Sequence, residues 1–276
     1  MKFEKGGSNM ATTLAERMSK FSGSPTSALI AKVAELKQQG KDIISLNVGE
    51  PDFGTPDYIK VAGMKAIADN FTKYTPGNGI LELRQEIVKK LKQDNGIEYG
   101  LNEITTSVGA KQAIASAMMV IAGPGDEVIL PIPCWVSYTE MIRLAGGTPV
   151  FVPVRPDNYE LDLKAIEDAI TPRTKAIIIC TPNNPTGAVY SEESLRKLAE
   201  LAVKHDFFIV ADEIYEKLVY DGAKHFSVAS ISQEVKERTV TVNGFSKAYA
   251  MTGWRIGYAA ARPDVIKGIM AVQSQT

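Results

Sequence analysis

The sequence predicts an α/β protein built on a mostly parallel, seven-stranded sheet covered by helices. Two observations carry that prediction. From about residue 100 onward, short β-branched or apolar runs alternate with helix-patterned segments, which is the order that strand-crossover-strand units impose. The chain's 276 residues, 45% hydrophobic and 23% charged, are enough for one large core plus a smaller piece and have an ordinary globular balance.

The candidate strands are residues 104–108, 127–130, 148–154, 176–180, 207–211, 239–242 and 256–260. Between them, Ser191 is placed to cap a helix with Glu192 and Glu193 in its first turn. That helix has Leu195, Leu198 and Leu201 on one face, and Lys204 and His205 at its end, where cations suit the helix dipole. An earlier helix carries Ile80, Leu83, Ile87 and Leu91 at three- and four-residue steps, whereas residues 113–122 are apolar on every side and are expected to be buried. Helices near residues 26–38 and 56–69 precede the alternation and are expected to pack across it. A last helix begins near Pro263, and its Ile266, Ile269, Met270 and Val272 form an apolar face for which no partner follows in the sequence.

Lys plus Arg is 31 against 32 for Asp plus Glu, a balance that gives no field for nucleic acid or an anionic membrane. No run approaches the roughly 18 apolar residues of a membrane span, and Gly6-Gly7-Ser8 reads as an added leader. Cys134 and Cys180 have no metal-ligand or disulfide spacing, so no metal is expected and a reducing cytoplasm is.

Four pieces bear on chemistry. Lys247 follows a strand and sits among glycines, aromatics and methionine in VNGFSKAYAMTGWRIGY. A lysine is usually a solvated charge, but apolar surroundings disfavour its ammonium form and make it a Schiff-base former. Asp212, with Tyr215 three residues on, ends the apolar strand of FFIVADEIY. The ends of parallel strands hold ligands, though a helix cap or salt bridge explains an Asp there equally well. Thr181 to Gly187, TPNNPTG, is a rigid turn that either has no chemistry or aims an asparagine at a ligand. Val108-Gly109-Ala110-Lys111 opens a helix after a strand and offers backbone N–H groups to a phosphate. Lys111 itself reads as a solvated helix-start charge or as a contact for an acidic substrate's distal carboxylate. His205 reads as a helix-end cation and His225 as a loop residue.

Together these pieces resemble the class I pyridoxal-phosphate (PLP) aminotransferases of fold type I. NVGEPDF, KYTPGNGILELR, VGAKQA, PCWVSY, TPNNPTGAVY, VADEIYE and SKAYAMTGWRIGY look like the aspartate-aminotransferase lineage, in that lineage's order, from about Ser24 onward. The resemblance implies a three-layer α/β/α large domain over residues 51–276, with residues 1–50 as an N-terminal arm and part of a small domain. It makes Lys247 the cofactor's Schiff-base lysine, Asp212 the partner of the pyridine nitrogen, and Tyr215 and Asn184 donors to the ring oxygen, with a cis Asn184-Pro185 peptide. Trp135 would stack on the ring, Gly109, Ala110 and Lys111 would start the phosphate cup, and Ser246 and Arg255 would hold the phosphate. Tyr74 would reach the phosphate of a second subunit in a homodimer, and Gly49, with Trp135 and Asn184, would lie beside the substrate. Gly244 stands where some relatives have a second phosphate-binding serine. The implied reaction moves an amino group between an L-amino acid, aspartate foremost, and a 2-oxo acid such as 2-oxoglutarate. A β-lyase, a racemase or a non-catalytic PLP-binding domain shares the same pattern. In the family a C-terminal segment completes the small domain and supplies the arginine for the substrate α-carboxylate. No arginine follows Arg262, so a truncated chain with weak transfer and an exposed face on the last helix is the expectation.

Overall fold

The structure, a computed structural model, describes residues 14, 15, 18, 19, 22, 23 and 25–276. The leader reading of Gly6-Gly7-Ser8 and the start of the resemblance at Ser24 lie outside the described residues. The chain divides into two compact units, Met1–Pro51 and Asp52–Thr276. In the first, helix α1 (Pro25–Gln38) is its regular element.

The second unit holds all seven expected strands: β1 (Ile104–Ser107), β2 (Glu127–Ile132), β3 (Thr148–Pro153), β4 (Thr174–Cys180), β5 (Phe208–Asp212), β6 (Thr239–Gly244) and β7 (Gly257–Ala260). They form one sheet in the order β1-β7-β6-β5-β4-β2-β3. Pairing is parallel from β3 through β6, and β7 runs antiparallel to both β6 and β1. It follows that β1 points the same way as the parallel strands. Six strands therefore end at one edge of the sheet, and β7 begins there.

Helices cover both faces, giving three layers. Helices α4 (Gly109–Ile121), α5 (Ser137–Ala145) and α9 (Pro263–Gln273) close one face, around Ile114, Met118, Ile142, Val128, Leu130 and Val242. On the other face α6 (Leu163–Ala169), α7 (Glu192–His205) and α8 (Gln233–Arg238) pack around Ile129, Ile177, Leu195, Leu198 and Ile209. The Ser191 hydroxyl caps α7 by accepting from Ser194 N at 3.2 Å. Helix α3 (Leu81–Asn95) buries Ile87 and Leu91 against Ile104, Tyr258 and Ala260 at the β1–β7 end.

Three expectations need correction. Ile266 and Ile269 are 2% and 0% exposed, so the last helix has its partner within this unit. Gly268 brings α9 so close to α4 that a Cβ there would lie 2.7 Å from Val120 Cγ1. Residues 113–122 are not buried all round, because Met119 points outward at 37% exposure. Helix α2 (Asp57–Ala68) does not lie across the sheet under cover, since none of its residues is buried. Gly63 lies against Trp254, where a Cβ would be 2.8 Å from the ring.

Candidate active site

Strand direction explains why residues scattered over the sequence converge. The carboxyl ends of β1, β2, β4, β5 and β6 lie at one edge, and each hands the chain to a predicted site residue: Gly109, Trp135, Asn184, Asp212 and Lys247 respectively. Arg255 precedes the amino end of β7 at the same edge. This is where open α/β sheets place ligands.

Asp212 closes β5 and is 3% exposed. Its Oδ2 accepts from the Tyr138 hydroxyl at 2.6 Å and its Oδ1 from Ile214 N at 3.2 Å. Burial raises its pKa to about 6, with the Glu213 charge adding to the rise and the two hydrogen bonds opposing it. Two donors leave a carboxylate with capacity for another, so Asp212 is a buried acceptor suited to a cationic N–H. Tyr138 was not singled out from the sequence. It is the tyrosine of PCWVSY, and the one available signal was a phenol on the apolar face of an amphipathic helix. Its ring stands edge-on to Trp135, with centroids 5.3 Å apart.

The two asparagines of the turn divide their work. Asn183 is buried and braces the turn, its Oδ1 accepting from Thr186 N at 3.2 Å and from the Thr186 hydroxyl at 2.9 Å. Asn184 instead donates to the Tyr215 oxygen at 3.3 Å, and its bond to Pro185 is cis. Burial lifts Tyr215 to about 12, so it stays a phenol whose own proton can point at a ligand. Lys247 is half-buried with its Nζ 5.7 Å from the centroid of the Tyr215 ring. Ser246, beside it, is buried.

The loop between β6 and β7 folds back on the start of α4. Ala250 and Arg255 both take left-handed backbone conformations, with φ of 51° and 56°. Such outliers concentrate where function fixes the backbone. Gly109, with φ of 74°, faces the Arg255 guanidinium so closely that a Cβ would lie 2.4 Å from Nη2. The first N–H groups of a helix lack intrahelical acceptors, so α4 begins with donors beside a guanidinium. Lys111 is in the first turn, its Nζ 4.9 Å from the centroid of the Trp135 ring. Burial first, and then the Arg255 charge, lower its pKa. Gly244 has no room for a side chain, since a Cβ would lie 2.9 Å from Ile256 O; the closeness of β7 accounts for glycine there.

Two predicted residues stand apart. Tyr74 is fully exposed at 109% and lines a wide groove with Thr106, Val108, Gln112 and Ile256, not the Asp212–Lys247 cluster. Gly49 belongs to the first unit. His225 does lie in a loop, and its Nε2 is 3.3 Å from Glu213 Oε2.

Among the described residues no helix is long and apolar enough to cross a membrane. The sequence profile of the family described as aminotransferase class I and II matches residues 41–276. An aspartate aminotransferase of Bacillus sp. (strain YM-2) is 48% identical over 97% of this chain and 68% of its own length. A probable aspartate/prephenate aminotransferase of Aquifex aeolicus is 49% identical over the same shares. The solved structure of an aspartate aminotransferase from Thermus thermophilus with maleate superposes with a TM-score of 0.93 at 48% identity, over 96% of this chain and 69% of that one. The chain thus spans about two thirds of the length of these relatives. A strand edge that gathers a buried carboxylate, a phenol, a lysine and a guanidinium, within a fold and sequence shared this extensively, makes the chain a member of the class I and II aminotransferase family.

Proposed function

We propose that the chain binds pyridoxal 5′-phosphate on Lys247 and moves an amino group between an L-amino acid, aspartate foremost, and a 2-oxo acid such as 2-oxoglutarate. The observation that carries the reading is the buried Asp212 carboxylate, held by Tyr138 and Ile214 N on the same strand edge as Lys247 and the Gly109–Arg255 cradle. The residues fit the cofactor. The bare Gly109 backbone under Arg255 suits a phosphate dianion, which a guanidinium can hold bidentately, and Asp212 retains capacity for a ring N–H.

When bound, PLP supplies an aldehyde for the amino group and an electron-accepting ring. Lys247 Nζ is the amine that joins it and, once released, carries the proton to and from the substrate Cα. Asp212 would keep the pyridine nitrogen protonated, and a cation bound there would lower the carboxyl pKa from about 6, so that the pair would be ionised at neutral pH. Tyr215 donates to the ring oxygen while its own oxygen is held by Asn184. Trp135 would face the ring, and Ser246, Arg255 and the amides of Gly109, Ala110 and Lys111 would hold the phosphate. Lys111, read foremost as a solvated helix-start charge, would be the contact for the distal carboxylate of an acidic substrate. Trp135 and Asn184 would border the substrate.

The working form is a homodimer in a reducing, cytoplasmic setting. The full exposure of Tyr74 and both cysteines being unpaired support this reading. Amino transfer from aspartate with and without 2-oxoglutarate tests the function. Turnover of aspartate beyond one equivalent per cofactor only when the oxo acid is present is expected; repeated turnover without it would indicate a lyase.

A further inference from the structure

The segment Asp212–Glu216 faces two ways. Asp212 and Tyr215 turn to Tyr138 and Asn184. Glu213 and Glu216, 1% and 7% exposed, turn away from them into a buried polar knot at the end of α3. Asn95, the last residue of that helix, is its node. Its Nδ2 lies 2.7 Å from Ser227 Oγ, 2.9 Å from Glu216 Oε2 and 3.2 Å from Glu213 Oε2. Its Oδ1 accepts from Lys90 Nζ at 2.7 Å. Lys90 also pairs closely with Glu216 Oε1, Ser227 donates to Glu213 Oε2 at 2.6 Å, and His225 lies against the same oxygen.

Glu213, Glu216 and His225 could each turn a ligand atom to a metal ion. The Lys90 ammonium and the Asn95 amide hydrogens already face both carboxylates, however, and occupy the place of a cation. A metal is therefore not the meaning of the knot. Nor is stability a sufficient one, because buried charges replaced by well-packed apolar groups often leave a protein as stable or more so. Buried polar knots do specify one geometry, and this one grips Glu213 and Glu216, the second and fifth of the five residues that display Asp212 and Tyr215. Besides the sheet ladder, the backbone adds four ties: Glu213 N to Val242 O at 2.8 Å, Thr181 N to Asp212 O at 3.2 Å, Glu216 N to Glu213 O at 2.9 Å and Leu218 N to Tyr215 O at 2.7 Å.

We propose that Asn95, Glu213 and Glu216 are positioning residues that fix the directions in which Asp212 and Tyr215 meet the cofactor. This rests on the PLP reading above. The test uses the full chain loaded with PLP and reads the induced circular dichroism of the cofactor band, which reports ring orientation, together with PLP affinity. Asn95→Ala should at least halve the induced signal and weaken PLP binding about tenfold, the scale of a lost hydrogen bond to a charged group. Glu216→Ala should do the same, while Glu216→Gln, which still accepts from Asn95, should restore most of the signal. Ile166→Ala, cut into the core between α6 and the sheet, serves as a control that loses stability without touching the knot. Signals in Asn95→Ala and Glu216→Ala equal to those of that control would overturn the proposal. If Asn95→Ala does not fold, the Glu216 pair decides alone. A wild-type chain that forms no borohydride-reducible adduct on Lys247 would instead overturn the PLP reading, and this proposal with it.

Discussion

The segment after β5 and the helix α2 are both short stretches rich in apolar and aromatic residues, yet they stand in opposite conditions. Asp212, Glu213, Ile214 and Glu216 are buried, and every polar side chain among them meets a partner from a distant part of the chain. In α2, Tyr58, Val61, Met64 and Ile67 are 58% to 71% exposed, and Tyr74 a little further on is wholly so. The first region has all its contacts within one unit. The second presents a stripe at three-residue steps that nothing among the described residues of this unit covers. The contrast separates what this chain determines by itself from what it offers to something else, and each prediction below tests one side of it.

The largest effect belongs to Lys247. Lys247→Ala should abolish the borohydride-trapped linkage to PLP while leaving weak, phosphate-dependent binding, as peptide mapping after reduction would show. A reduced phosphopyridoxyl group recovered on another lysine would break the assignment.

Asp212→Asn should fold and bind PLP but lose roughly two to four decades of amino transfer, the equivalent of the 3 to 5 kcal/mol typical of unpairing a buried charge. A mutant within a few-fold of wild type would make Asp212 structural. The cofactor-free protein offers a second reading. Burial raises this carboxyl from 3.8 to about 6, so the folded chain keeps a proton that the unfolded chain releases. Stability is therefore present below pH 4 and is lost as pH rises toward 6, by about 3 kcal/mol for this group at 1.36 kcal/mol per unit. Urea titrations at pH 4 and pH 7 should show this loss in wild type relative to Asp212→Asn. An identical slope in both would disprove the burial effect.

Tyr138→Phe should act more gently. It removes the 2.6 Å bond that opposes the rise of Asp212, so the carboxyl becomes a stronger base and less of it is ionised near neutrality. PLP affinity should drop about tenfold, in line with a hydrogen bond to a charged group, and the loss should shrink as pH is raised. A pH-independent loss would point to packing against Trp135 instead.

The strands and the site were legible in the sequence to different depths. Buried parallel strands are continuous β-branched or apolar runs, so EVIL, AIII and FIVAD stand out. Their ends do not: Thr174-Lys175 opens β4 and Asn243-Gly244 closes β6, because polar residues at a sheet edge look like loop. Gly109, Trp135, Asn184, Asp212 and Lys247, the residues proposed to meet PLP, drew attention in the sequence because their motifs follow strands, and the structure places them at one strand edge. The knot behind them drew none, since Asn95 finds its partners 118 to 132 positions away, and Lys90 and Asn95 look like the solvent face of α3. The burial of Ile266 and Ile269 was missed for the same reason: an apolar face shows in sequence, but the identity of its partner, here α4, does not.

The smallest effect on the single chain is expected in α2, and there the comparison can be broken most cleanly. Tyr58 and Val61 touch no core cluster and are 71% and 58% exposed, so replacing both by serine should change unfolding free energy by no more than about 0.5 kcal/mol per site, as for surface positions generally. Serine costs a helix a few tenths of a kcal/mol against valine or tyrosine at most, so propensity does not obscure the result. If this face, with Tyr74, is the one a second copy covers, the same double variant should weaken self-association strongly, because burying each such side chain contributes about 1.5 to 3 kcal/mol. Sedimentation of wild type and variant over a range of concentrations, beside urea unfolding at the lowest, separates the two effects. A drop of several kcal/mol in unfolding free energy at a concentration where both sediment as single chains would mean that α2 packs within its own chain, and the division into a closed and an open region would fail.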